Sequence, residues 1–143
     1  MYFKANKSLN FSKKTRSLRH IRFIIIHYTG MQSERVSLKK LKDINSKVSC
    51  HYFISRNGVI SRMVEDKKVA WHAGISKWKN INNLNKYSIG VEIQNKGHLI
   101  GYQNFPKKQI LSLIKLIKIL IKKYGIKKKK VLGHSDIAPL RKL

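Results

Sequence analysis

Apolar residues along this chain come in short runs until the last third, where they spread out at helical spacing. Arg22 to Tyr28 (RFIIIHY) is a β-branched run too short for a helix, closed by Thr29-Gly30. It predicts a buried strand with Phe23, Ile25 and His27 on one face. Val36, Leu38 and Leu41 predict a short helix over 37–43 with these three residues inward. His51 to Ser55 (HYFIS) and Val59 to Val64 (VISRMV) flank Arg56-Asn57-Gly58. Asn-Gly between two strand-like runs predicts a hairpin, because both residues tolerate positive φ. Tyr87 to Gln94 (YSIGVEIQ) alternates, with Ile89, Val91 and Ile93 facing one way and Gly90, Glu92 and Gln94 the other. From Phe105-Pro106 to Tyr124, the inward positions of a long helix are Ile110, Leu113, Ile114, Ile117, Leu120 and Ile121. Gly125 is placed to end that helix, and Val131-Leu132 predicts a last short strand running into Gly133-His134.

Strands interleaved with at least one long helix predict the α/β class: one mixed β-sheet flanked by helices. Residues 1–20 are polar and basic without periodicity and read as an N-terminal arm, on the surface or loosely ordered, preceding a domain over 21–143. Glu65 to Lys86 is a long irregular stretch carrying both tryptophans, and loops of that length in compact domains tend to be functional.

Composition changes this picture little. The 143 residues include 32 Lys+Arg against 6 Asp+Glu, a formal charge of +26, with 42% apolar residues, enough for a core. Lysine outnumbers arginine 25 to 7, and isoleucine (19) and asparagine (10) are abundant beside four alanines. AT-rich codon usage accounts for such an excess without a nucleic-acid partner, although the lysines still create a field that draws anions. No window is apolar for long enough to span a membrane, and Met1 to Leu18 has no secretory signal pattern, so the expected location is the cytoplasm. A lone cysteine, Cys50, forms no internal disulfide and reads as a small buried hydrophobe.

Candidate chemistry centres on histidines. His27 and His134 each follow a β-type run where the chain turns, the place at which rigid scaffolds present ligands. Distant histidines alone carry no metal motif, Glu92 reads first as a half-exposed charge paired with a neighbouring lysine and second as a general base, and Asp136 reads as a turn or capping residue. His20 and His98 look incidental, and His51 structural.

Resemblance shifts these odds. Ile24-Ile25-Ile26-His27-Tyr28-Thr29, Val48-Ser49-Cys50-His51-Tyr52-Phe53-Ile54, Asn57-Gly58, Ala70-Trp71-His72-Ala73-Gly74, Ser88-Ile89-Gly90-Val91-Glu92-Ile93 and Gly133-His134-Ser135-Asp136-Ile137-Ala138-Pro139 occur in this order. The set resembles the zinc-dependent N-acetylmuramoyl-L-alanine amidases, which share their fold with phage lysozyme-type amidases and peptidoglycan recognition proteins. The resemblance implies hydrolysis of the amide between N-acetylmuramic acid and L-alanine in peptidoglycan or muropeptides. It implies His27 and His134 as Zn2+ ligands, Glu92 as the residue activating water, Lys142 as the oxyanion stabiliser, and Trp71 and His72 as groove-lining substrate contacts. The family pattern continues past the lysine to an Asp two positions on, the third zinc ligand, so the domain reads as truncated at its C-terminal end. The expectation is a monomeric muropeptide amidase of cell-wall recycling. The alternative is a non-catalytic peptidoglycan-binding or degenerate remnant lacking that ligand.

Overall fold

The computed structural model describes residues 1–139. Lys142 lies outside them. The elements in chain order are β1 (Lys4–Ala5), β2 (Phe11–Thr15), β3 (Phe23–Tyr28), α1 (Glu34–Lys42), β4 (Tyr52–Ile54), β5 (Ile60–Arg62), β6 (Lys68–Ala70), β7 (Lys77–Trp78), β8 (Ile81–Asn82), β9 (Ser88–Ile93), α2 (Lys107–Tyr124), β10 (Val131–Gly133) and α3 (His134–Ile137).

Among the described residues, six strands form one mixed sheet in the order β1-β5-β4-β9-β3-β10. β4, β9, β3 and β10 run parallel, while β5 returns antiparallel to β4. The carboxyl ends of the four parallel strands therefore share one edge, where open α/β sheets bind ligands. One sheet face packs Ile24, Tyr52, Ile54, Ile89 and Val91 against Leu113, Leu116 and Leu120 of α2. The opposite face carries Phe23 and Ile25 over Ala73, Leu84 and Ile137, and beside them Phe53 and Cys50 under Leu41 of α1.

Helix faces depart from the periodicity reading. The stripe α2 buries is Gln109, Leu113, Leu116 and Leu120, and Ile114 is exposed. Gln109 accounts for the rotation: its Nε2 donates to the carbonyls of Ile54 (3.1 Å) and Gln94 (3.0 Å), closing two strand ends with a buried amide that hydropathy cannot register. α1 starts earlier than expected because the Ser33 hydroxyl accepts from the Val36 amide, and this exposes Val36. In the 55–59 hairpin turn only Gly58 has positive φ (82°). Its amide donates to the Ser55 carbonyl, so the connection is a type I turn followed by a left-handed glycine.

The N-terminal twenty residues are built into the domain: β1 pairs with β5 at the edge of the six-stranded sheet and β2 pairs with β6. Asn10 is fully buried and its Nδ2 donates to the carbonyls of Asp43 (2.7 Å) and Val48 (2.9 Å). The Arg16 guanidinium reaches the carbonyls of Asp66, Asn85 and Ser88.

Asp66 ties the sheet to α2. Its carboxylate accepts from the Tyr52 hydroxyl (2.8 Å), the Tyr124 hydroxyl and Lys123 Nζ (3.1 Å). Burial pushes the Asp66 carboxyl up, but the hydrogen bonds from Tyr124, Tyr52 and Lys123 outweigh it and hold it below the ordinary aspartate value. Its contribution is thus complete above the unfolded pKa and lost as pH falls through the lower folded one. Asp66→Ala strands two tyrosine hydroxyls and should cost about 2 kcal/mol, lowering Tm by roughly 5 °C in thermal unfolding at pH 7.

Candidate active site

The strand pattern that sends Ile24 and Ile26 toward α2 sends His27 to the other face, one residue before the end of β3. Register then places Glu92 of β9 beside His27 and Gly133 of β10 beside Ile26. His134, the next residue, follows directly, and its Nδ1 lies 2.8 Å from His27 Nδ1 although 107 positions separate the two. The rings meet edge to face at 4.7 Å between centroids. Asp136 accepts from the Gly133 amide (2.7 Å), a capping bond that fixes the turn carrying His134. His27, Tyr28, His98, Phe105 and His134 line a cleft of about 410 Å³ at this sheet edge, and Glu92 is half-buried.

A second layer stands behind His27. Its Nε2 lies 3.0 Å from His72 Nδ1, and His72 Nε2 lies 3.1 Å from the Ser88 hydroxyl, which donates to the Leu84 carbonyl at 2.6 Å. The backbone amides of His72 and Ala73 both donate to Asn85 Oδ1, which holds the turn bearing the ring. Burial first, then the neighbouring His27 and His51, hold His72 well below the ordinary imidazole value. His51 is structural: its Nδ1 accepts from the Gly90 amide (3.0 Å), and burial followed by the Arg16 charge pushes it down to about 3.

The seat for the His72 ring is Gly90, in the middle of β9. A Cβ there would stand 2.3 Å from His72 Cγ. A glycine inside a strand signals such an approach. Gly90→Ala should therefore destabilise the fold by about 1–3 kcal/mol, read as a lower denaturation midpoint, since the ring cannot recede without leaving Ser88 and His27.

The structure brings together His27, Glu92 and His134 of the residues singled out by sequence. It does not bring Trp71 or His72 into the groove. Trp71 lines a separate pocket with Arg16, Asn85 and Tyr87, because its backbone is tied to Ser49. His72 is turned inward behind His27 by Ser88. Conversely His98, which looked incidental, stacks on Tyr102 (5.0 Å between centroids) and walls the cleft with Tyr28 and Phe105. No local pattern around His98 announces this. Cys50 is fully buried 3.7 Å from Met63 Sδ, and burial, then the charge of Glu92, pushes its thiol well up, which suits packing and not ligation.

Two imidazole nitrogens this close are a donor set zinc favours, and a tetrahedral site with Zn–N of about 2.0–2.1 Å holds its nitrogens about half an ångström farther apart than this pair. His27 and His134 thus fit two positions of a zinc shell. Among the described residues no cluster of three or more His, Cys, Asp or Glu completes one.

A family model described as N-acetylmuramoyl-L-alanine amidase matches residues 17–143. N-acetylmuramoyl-L-alanine amidase AmiD of Escherichia coli is 39% identical over 134 residues, 85% of this chain and 48% of AmiD. 1,6-Anhydro-N-acetylmuramyl-L-alanine amidase AmpD of Haemophilus influenzae is 37% identical over 98 residues, 68% of this chain and 51% of AmpD. The chain spans about half the length of the curated relatives it matches. Among solved structures, E. coli AmiD in complex with the substrate anhydro-N-acetylmuramic acid-L-Ala-D-γ-Glu-L-Lys superposes with a TM-score of 0.78 at 35% identity, covering 92% of this chain and 54% of that one. Pseudomonas aeruginosa AMPDH3 in complex with anhydromuramic pentapeptide gives 0.79 at 31% identity, covering 92% and 56%.

Proposed function

The chain belongs to the N-acetylmuramoyl-L-alanine amidases, and from that membership we propose that it hydrolyses the amide joining the lactyl group of N-acetylmuramic acid to L-alanine in muramyl peptides. The observation that carries this reading is the His27–His134 nitrogen pair beside Glu92 at the carboxyl edge of the sheet. Anhydro-muramyl peptides are the substrate class we favour, because the AmpD relative is named for that sugar and the AmiD and AMPDH3 complexes contain it. A recycling role in the cytoplasm accords with that class, and among the described residues no helix is long and apolar enough to cross a membrane.

His27 and His134 would hold zinc, which when bound supplies Lewis acidity toward the scissile carbonyl and toward water. Glu92, beside His27 in register, takes a proton from the attacking water as its oxygen bonds to the carbonyl carbon. It returns that proton to the alanine nitrogen as the C–N bond breaks, so the products are a free lactyl carboxylate and a peptide amine. Tyr28, His98 and Phe105 offer an aromatic wall for the sugar, and the lysine-rich surface draws the peptide's carboxylates. Lys142, outside the described residues, is the family pattern's choice for the oxyanion, a role typically worth about 3 kcal/mol.

The test is incubation of the zinc-supplemented chain with anhydro-muramyl-L-Ala-D-γ-Glu-L-Lys, followed by mass spectrometry. The expected products are anhydro-muramic acid and free tripeptide. Binding of intact substrate without cleavage would overturn the hydrolase reading in favour of a peptidoglycan-binding module.

A further inference from the structure

Hydrogen-bond bookkeeping behind His27 determines where its proton sits. A carbonyl cannot donate, so the 2.6 Å contact between Ser88 Oγ and the Leu84 carbonyl uses the only hydroxyl proton Ser88 has. Ser88 Oγ must then accept at its other contact, and the proton there belongs to His72 Nε2. Buried and protonated at Nε2, the His72 ring presents a lone pair at Nδ1, and across 3.0 Å that lone pair takes the Nε2 proton of His27. His27 Nδ1 is then the unprotonated nitrogen, and it faces His134 Nδ1 at 2.8 Å.

We propose that Ser88 and His72 are positioning residues that lock His27 in the Nε2-protonated tautomer and so present its Nδ1 lone pair to a metal ion. The proposal rests on the reading of His27 and His134 as metal ligands. The relay is anchored at both ends: Ser88 opens β9 with its hydroxyl pinned to Leu84, and His72 is seated on Gly90 with its backbone held by Asn85. All three relay side chains are buried, so water does not compete for these bonds. Such a chain orients a metal-binding imidazole and raises its basicity, and removing a partner of this kind typically weakens metal affinity by about 10- to 100-fold.

Two measurements test it. Long-range 15N–1H NMR of the chelator-treated chain should show His27 and His72 both protonated at Nε2, and Ser88→Ala should shift His72 to a mixture of tautomers and His27 with it. Zinc affinity, from competition with a chromophoric chelator, should fall about 10- to 100-fold in His72→Ala and less in Ser88→Ala. His72→Asn, whose amide oxygen stands near the position of Nδ1, should recover most of the loss; a purely packing role predicts no such rescue. Should His72→Ala fail to fold in thermal unfolding, Ser88→Ala and His72→Asn carry the comparison. A folded wild-type chain with His27 protonated at Nδ1, or variants that bind zinc within twofold of wild type, would overturn the proposal. If the wild-type chain binds no zinc yet shows both Nε2-protonated tautomers, the ligand reading fails while the tautomer lock stands.

Discussion

Glu92→Gln should lower the rate of muramyl-peptide hydrolysis by about 10²- to 10⁴-fold while leaving substrate affinity close to wild type. The amide keeps the shape of the carboxylate but cannot take a proton, so the substitution isolates base function from packing. Register places Glu92 between His27 on β3 and Phe53 on β4, on the face turned away from α2, and its side chain is half-buried. Single-turnover rates with excess enzyme, alongside binding of the intact peptide to the variant, would read the two effects separately. Turnover within a few-fold of wild type would remove Glu92 from the role of base.

That Glu92 points away from Ile89, Val91 and Ile93 was legible from alternation alone, whereas its sharing a side with His27 follows from the parallel register of β9 with β3. The strands β3 and β9, the hairpin and α2 were legible for the same reason: each is written in neighbours a few residues apart. The pairing of β10 with β3 is not written locally, and it is this parallel pairing that carries His134 to His27. The metal reading of two histidines so distant came from resemblance; the geometry adds that their Nδ1 atoms stand 2.8 Å apart. Side chains whose role is a buried polar bond were the least visible. Gln109 falls outside the apolar stripe that spacing predicts for α2, Arg16 falls within the basic N-terminal stretch, and the resemblance implied His72 only as a groove contact. Each is placed by carbonyls or hydroxyls that belong to a different element. Hydropathy and spacing record none of these, because the partner is fixed only once the sheet has closed.

Removing either histidine of the pair should abolish zinc-dependent turnover, but the two losses should differ in stability. His134 is only half-buried at the start of α3, and the turn beneath it is held by Asp136 and the Gly133 amide, so His134→Ala leaves the scaffold intact. Its Tm should stay within a few degrees of wild type. Zinc affinity should fall by about two orders of magnitude, because an apparent binding energy of about 10–16 kcal/mol spread over four zinc ligands gives each about 3 kcal/mol. His27 is buried between Glu92 and His72. His27→Ala therefore opens a cavity and leaves His72 Nδ1 without the proton it accepts, costing about 2–3 kcal/mol and roughly 5–10 °C in addition to the metal. Calorimetric unfolding of both variants with and without zinc would display the asymmetry: a metal-induced rise in Tm lost from both, and a lower metal-free Tm in His27→Ala alone. Equal metal-free stabilities would mean that His27 is not held by the Ser88–His72 chain in solution.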